Sequence, residues 1–123
     1  MDINQYQKEY ALAIKSTFKH PIEGDLKFGR VLDSTWGRSL IIMDSTNAIA
    51  AEAGELANIG KKIYRFKTFG YKPEKYGQVN EEDLKEEFSD VLSNCFDMAC
   101  RMGWSVEEIL LQKLKEKQSN GQK

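Results

Sequence analysis

Histidine, cysteine and long hydrophobic runs are scarce in this sequence, and each scarcity narrows the range of functions. The only histidine is His20, which beside Pro21 suits a surface or capping position better than a ligand position. A di-iron carboxylate bundle needs paired Glu-x-x-His motifs and is therefore disfavoured. Cys95 and Cys100 lie on one predicted helix, and a disulfide between them would break that helix. Neither is near the histidine, so a catalytic thiol is not expected.

The hydrophobic stretches and the charge balance exclude further classes. No apolar stretch approaches the roughly 20 residues of a membrane span, and the first residues lack the pattern of a secretory signal. The formal net charge is -1, whereas general binders of nucleic acid or membrane surfaces are usually strongly basic. Together with the reduced thiols, these absences predict a cytoplasmic protein that binds neither nucleic acid nor membrane.

The residues that are present indicate one folded, all-α domain. The chain has 123 residues, of which 41% are hydrophobic and 30% charged, which suits a single domain with a core. Asn80 is the expected N-cap of the third helix, Gly103 its stop, and Ser105 opens a capping-box pattern for the fourth. The apolar periodicity predicts helices over 3–19, from Gly37 or Arg38 to about Phe66, over 80–102, and from 105, with loops at 21–36 and 67–79.

Two acid-x-x-acid steps lie on the second and third predicted helices. Glu52 and Glu55 form the first step, and Glu87 and Asp90 form the second. Residues three apart share a helix face, and at about 100° per residue Glu52 lies in the middle of the apolar stripe of its helix. Carboxylates that gather in a half-buried place need cations, so the pattern favours an all-oxygen site for Mg²⁺. For the second pair a solvated helix face remains an open alternative.

These motifs resemble those of the MazG-like all-α nucleoside triphosphate pyrophosphohydrolases. The resemblance covers residues 44–117 and is carried by Glu-Ala-Gly-Glu-Leu at 52–56, Lys61-Lys62, Glu-x-x-Asp-Val-Leu at 87–92 and Met-Gly-Trp-Ser at 102–105. It implies a four-helix MazG-like bundle completed by dimerisation, as a homodimer or a dimer of dimers. The single MazG-like domain would span 1–123, with the N-terminal helix, loop and start of the second helix in 1–43, a motif-bearing core in 44–117 and a frayed tail in 118–123.

The resemblance also implies an activity and assigns the four acids to it. The reaction would be Mg²⁺-dependent hydrolysis of (deoxy)nucleoside triphosphates to the monophosphate and pyrophosphate, with Mn²⁺ as a substitute metal and nucleotide-pool housecleaning as the role. The expected metal ligands are Glu52, Glu55, Glu87 and Asp90, and either Glu52 or Glu55 would also be catalytic by taking the proton of the attacking water.

Three further residues are candidates for substrate binding. Lys62 lies near the Glu55 side of its helix, two turns on, where it would stabilise charge on the leaving pyrophosphate. Asn94 is one turn past Asp90 and would bind a water on the metal or the sugar. Trp36, before the second helix, is a candidate for the base pocket, although a core position suits it equally well.

Two alternatives stay open. A sister activity, dUTPase-like or phosphoribosyl-ATP pyrophosphohydrolase, has the same acid spacing. A non-catalytic helical interaction module would keep the acids and release no pyrophosphate. The chain also departs from many relatives at Ser93-Asn94, where they carry an aromatic pair, and at Leu110, where they carry asparagine. The base and sugar preference is therefore open.

Overall fold

The structure is a computed structural model that describes residues 1–17, 35–70 and 79–121, and the side chains of 1–13, 38–70 and 79–121. Within these ranges the chain is all-helical and contains no strand, which confirms the predicted all-α class, whereas the four-helix bundle completed by dimerisation stays a prediction. The described helices are α1 (Ile3–Thr17), α2 (Thr35–Phe69), α3 (Glu81–Met102) and α4 (Val106–Gly121).

The observed helices differ from the predicted ones mainly at their ends. α2 begins at Thr35, so Trp36 belongs to its first turn and not to the preceding loop. The same helix continues past Phe66 because no glycine or proline stops it before Gly70. α4 continues to Gly121. The predicted loop at 21–36 lies almost wholly outside the described residues, as do His20, Pro21 and positions 71–78 of the second loop.

Side-chain caps set the starts of α3 and α4. The backbone N–H of Asn80 donates to Asp83 Oδ2 at 2.8 Å, and the N–H of Asp83 donates back to Asn80 Oδ1 at 3.1 Å. This reciprocal pair satisfies two backbone donors that a helix start otherwise leaves unpaired. At α4 the N–H of Glu108 donates to Ser105 Oγ at 3.2 Å. Both predicted N-caps are confirmed, and Asp83 serves as a cap.

Replacement of Asn80 by alanine is expected to lower the free energy of unfolding by about 1 kcal/mol, the usual cost of losing an N-cap. Thermal unfolding followed by circular dichroism measures this change. Asn58→Ala is the matched control, because Asn58 is exposed in the middle of α2 and alanine has the higher helix propensity there. A loss of stability in the control as large as that in Asn80→Ala would contradict the capping role.

Glycines in the left-handed region end α2 and α3. Gly103 has φ +72°, Trp104 N–H donates to Ala99 O at 2.9 Å, and Gly103 N–H donates to Cys100 O at 3.4 Å. These two bonds form a Schellman motif, which confirms the predicted stop at Gly103. Gly70, with φ +67°, closes α2 by donating its N–H to Phe66 O at 3.0 Å.

The described residues group into two compact units. The first is drawn from Met1–Met43 and Phe96–Lys123, and the second from Asp44–Cys95, so α2 and α3 contribute to both. In the first unit the rings of Tyr6 and Tyr10 pack on Phe96, with centroids 5.1 and 6.1 Å away. Ile41 and Met102 are buried there, and Met98 packs against them.

Gln7 of α1 uses its whole side-chain amide to hold the α3–α4 turn. Its Nε2 donates to Trp104 O at 2.7 Å, and its Oε1 accepts the N–H of Val106 at 2.9 Å. The second bond satisfies a backbone donor at the start of α4, which α4 cannot satisfy by itself.

Few apolar side chains are buried in the described part of the chain. Only Ile41, Ala99 and Met102 are buried there. α4 has no buried residue among those described, and about half of each of its four large aliphatic side chains is exposed, namely Ile109, Leu110, Leu111 and Leu114. The described chain thus presents much apolar surface to solvent. None of its described helices combines the length and apolarity that crossing a membrane requires.

Candidate metal centre

The second compact unit brings acids of α2 and α3 together. Glu52, Glu87 and Asp90 each place one carboxylate oxygen within 4.8 Å of the other two. Glu55 is close enough for its negative charge to affect both Glu52 and Glu87. All four predicted acids therefore lie in one region of this unit, and three of them converge. Two lie on each helix, and three of them place oxygens close enough together that they could hold one ion.

Two of the oxygens in this cluster are buried without a partner. Oε2 of Glu52 and Oε2 of Glu87 have almost no solvent contact, and neither has a hydrogen-bond partner in the described part of the chain. Buried polar atoms are normally paired, because an unpaired one loses its hydration without compensation. A bound cation is one of the few groups that can replace the lost hydration of buried carboxylate oxygens.

Burial and like charge both oppose ionisation of the cluster. Burial raises the pKa of Glu52 above its ordinary value, and the negative charges of Glu55 and Asp90 raise it further. The pKa of Glu87 is also raised, first by burial and then by Glu55, Asp90 and Glu52. A cation at this place would act in the opposite direction, because positive charge favours the carboxylate form.

The raised pKa values predict that the metal-free protein loses stability as the pH rises. Between the ordinary glutamate pKa of 4.5 and the raised values, the folded protein binds more protons than the unfolded chain. The free energy of unfolding therefore falls with increasing pH across this window. Thermal unfolding in EDTA at pH 5 and pH 7 measures the effect. The fall in Tm should be steeper for wild type than for Glu87→Gln, and equal slopes would contradict the prediction.

The donor set fits a hard divalent cation. The cluster offers carboxylate oxygens only, the ligands that Mg²⁺ prefers and Mn²⁺ accepts. No nitrogen or sulfur ligand belongs to the group of potential ligands found in the described residues. The residues present therefore fit Mg²⁺, and the two unpartnered glutamate oxygens are the observation behind this fit.

The three predicted substrate-binding residues have different positions. Lys62 is half-buried on α2, about 20° around the helix from Glu55 and about 10 Å further along it. Asn94 uses its Nδ2 to donate to the backbone O of Asp90 at 2.8 Å, so its Oδ1 is the atom left to face a ligand. Trp36 lies in the first turn of α2, but its side chain is outside the described ones, and its role stays a prediction.

Ser45 is a polar residue that the sequence reasoning missed. It is only 3% exposed, and its Oγ has no hydrogen-bond partner among the described residues. Ser45 precedes Glu52 by two helical turns and lies within about 20° of it around α2. Ser45 therefore lies on the same apolar stripe of α2 as Glu52, and this spacing is the sequence signal that would have identified Ser45 as buried.

Comparison of the chain with protein-family models, with curated proteins and with solved structures gives no match.

Proposed function

We propose that this chain is a Mg²⁺-dependent nucleoside triphosphate pyrophosphohydrolase with a MazG-like helical bundle. The observation that carries the proposal is the meeting of Glu52, Glu87 and Asp90 within 4.8 Å, with two buried oxygens that lack a partner. The motif resemblance supplies the reaction: hydrolysis between the α and β phosphates, which gives a monophosphate and pyrophosphate.

The roles of the acids follow from their places in the cluster. Glu52, Glu87 and Asp90 would hold Mg²⁺, which when bound supplies positive charge to neutralise and orient the phosphate oxygens. Glu55 is next to these three but outside the group that converges on one point. It is therefore the acid best placed to accept the proton of the attacking water. Lys62 adds a positive charge for a substrate phosphate.

Self-association is part of the proposal. A four-helix bundle buries an apolar stripe of each helix, yet the described helices leave large aliphatic and aromatic side chains half exposed, among them Phe88, Leu92, Leu111 and Leu114. A second copy of the chain would cover such surface. Analytical ultracentrifugation should show a species of at least twice the mass of the chain, and a monomer at all concentrations would overturn this part.

The test of the activity is pyrophosphate release from a panel of nucleoside and deoxynucleoside triphosphates that includes dUTP and phosphoribosyl-ATP. We expect release from at least one compound with Mg²⁺ or Mn²⁺ and none in EDTA. Turnover of dUTP or phosphoribosyl-ATP alone would indicate the sister activity. No release from any compound, by folded protein with either metal, would overturn the proposal and favour a non-catalytic interaction module.

A further inference from the structure

One side of α2 carries an acid, a cation and an exposed aromatic ring, in that order toward its C-terminus: Glu55, Lys62 and Phe66. At about 100° per residue, Lys62 and Phe66 lie about 20° to either side of Glu55 around the helix. With a rise of 1.5 Å per residue, Lys62 is about 10 Å beyond Glu55, and Phe66 is about 6 Å beyond Lys62. Long helical side chains lean toward the N-terminus, so the Phe66 ring extends back over the turn that carries Lys62.

The Phe66 ring is available for contact. It is 47% exposed and makes no ring contact with another described aromatic side chain. Two other exposed aromatic residues near this helix end, Tyr64 and Phe69, pack on each other edge to face with centroids 5.6 Å apart. Tyr64 points about 180° away from Glu55 around the helix. Among the described aromatic residues of α2 after Glu55, Phe66 is therefore the one that lies nearest to Glu55 around the helix.

The charge around Phe66 favours an anionic ligand. No acid occurs between Leu56 and Gly70, and this part of the chain contains several cations, namely Lys61, Lys62, Arg65 and Lys67. The whole chain has a net charge of -1, so the C-terminal part of α2 is more positive than the chain as a whole, and Lys62 lies on the same side as the ring. A ligand that pairs a planar aromatic group with phosphates complements both features.

We propose that Phe66 is the residue on which the aromatic base of the substrate stacks. This inference rests on the proposed function, because it takes the carboxylates as the phosphate end of the site. The order of groups along α2 then matches the order in a nucleoside triphosphate. It also revises the role of Lys62, which would face the phosphate that stays with the nucleoside, while the leaving pyrophosphate points away from Phe66. Phe66 would replace Trp36 as the contact for the base, because Trp36 lies in the first turn of α2.

The experiment compares Phe66→Leu with wild type on the best triphosphate of the panel. Stacking of a base on an aromatic side chain is strong enough that its loss should raise KM about tenfold or more, with kcat changed less than about twofold. Phe66→Trp should restore the KM. Inorganic tripolyphosphate has no base, so its inhibition constant with Mg²⁺ should be the same in Phe66→Leu and wild type.

Tyr64→Leu is the matched control, because Tyr64 is exposed on the same turns but faces the other side, and its KM should equal that of wild type. Calorimetric titration of a non-hydrolysable triphosphate with Mg²⁺ supplies a readout apart from turnover. Turnover by wild type with an unchanged KM and Kd in Phe66→Leu would overturn the stacking role alone. If wild type neither turns over nor binds any nucleotide, both proposals are overturned. If wild type binds a nucleotide without turnover and Phe66→Leu weakens that binding, only the proposed activity is overturned.

Discussion

Replacement of Glu55 by glutamine is expected to lower kcat for pyrophosphate release by about 10²- to 10⁴-fold, the usual contribution of a general base. Glutamine keeps the size of the side chain and cannot accept the proton. Because Glu55 is outside the three-oxygen group, the affinity for Mg²⁺ should change much less than kcat does. Steady-state kinetics at saturating Mg²⁺, together with a Mg²⁺ titration of each protein, separate the two effects.

Two variants calibrate this result. Glu86→Gln removes one negative charge at an exposed position of α3 next to Glu87, and its kcat should equal that of wild type. Glu52→Gln removes a proposed ligand, so it should raise the Mg²⁺ concentration required for activity. Equal release by Glu55→Gln and wild type would show that the base lies elsewhere or that a contaminant is responsible.

Mg²⁺ is expected to raise the Tm of wild type by about 10 °C when present at about 100 times its Kd, because it binds the folded protein only. In EDTA, Glu87→Gln should be more stable than wild type, since it removes one of the charges that oppose ionisation of the cluster. In Mg²⁺ the order should reverse, because the variant lacks a ligand. Differential scanning calorimetry of both proteins, with and without the metal, measures this reversal.

The control for this experiment is NaCl at equal ionic strength, because salt screens repulsion between carboxylates without occupying a site. An equal rise of Tm in NaCl and in Mg²⁺ would mean that the acids form an ordinary acidic surface. An equal rise in Glu87→Gln and wild type would mean that Mg²⁺ binds at another place. Either result would contradict the proposed metal centre.

Features that depend on neighbouring residues were predictable from the sequence. Asn80 and Gly103 set helix ends through bonds within a few residues, so local motifs identify them. The inward direction of Glu52 follows from the period of its own helix. The meeting of Glu52 with Glu87 depends on packing between two helices, and the spacing in the sequence indicates it only when both motifs are considered together.

Features that depend on distant or competing contacts were not predictable in this way. The Gln7 side chain bonds to residues 97 and 99 positions away, and no local pattern marks such a contact. The Asn94 Nδ2 donates to the backbone O of Asp90, a local bond that asparagine side chains often form, and the proposed contact of Asn94 with a ligand stays a prediction. The end of α2 was placed too early because Lys67 and Thr68 do not stop a helix, whereas Gly70 does.

The hydrogen bonds of Gln7 also determine when α1 can form its native contacts during protein synthesis. Trp104 and Val106 are made about a hundred residues after Gln7, and at 5–20 residues per second this takes roughly 5 to 20 s. Until then the Gln7 amide has no α3–α4 turn to bind. The residues of Asp44–Cys95 are contiguous in the sequence and emerge from the ribosome earlier. The segment with the four acids is therefore complete on the nascent chain before the N-terminal helix has these partners.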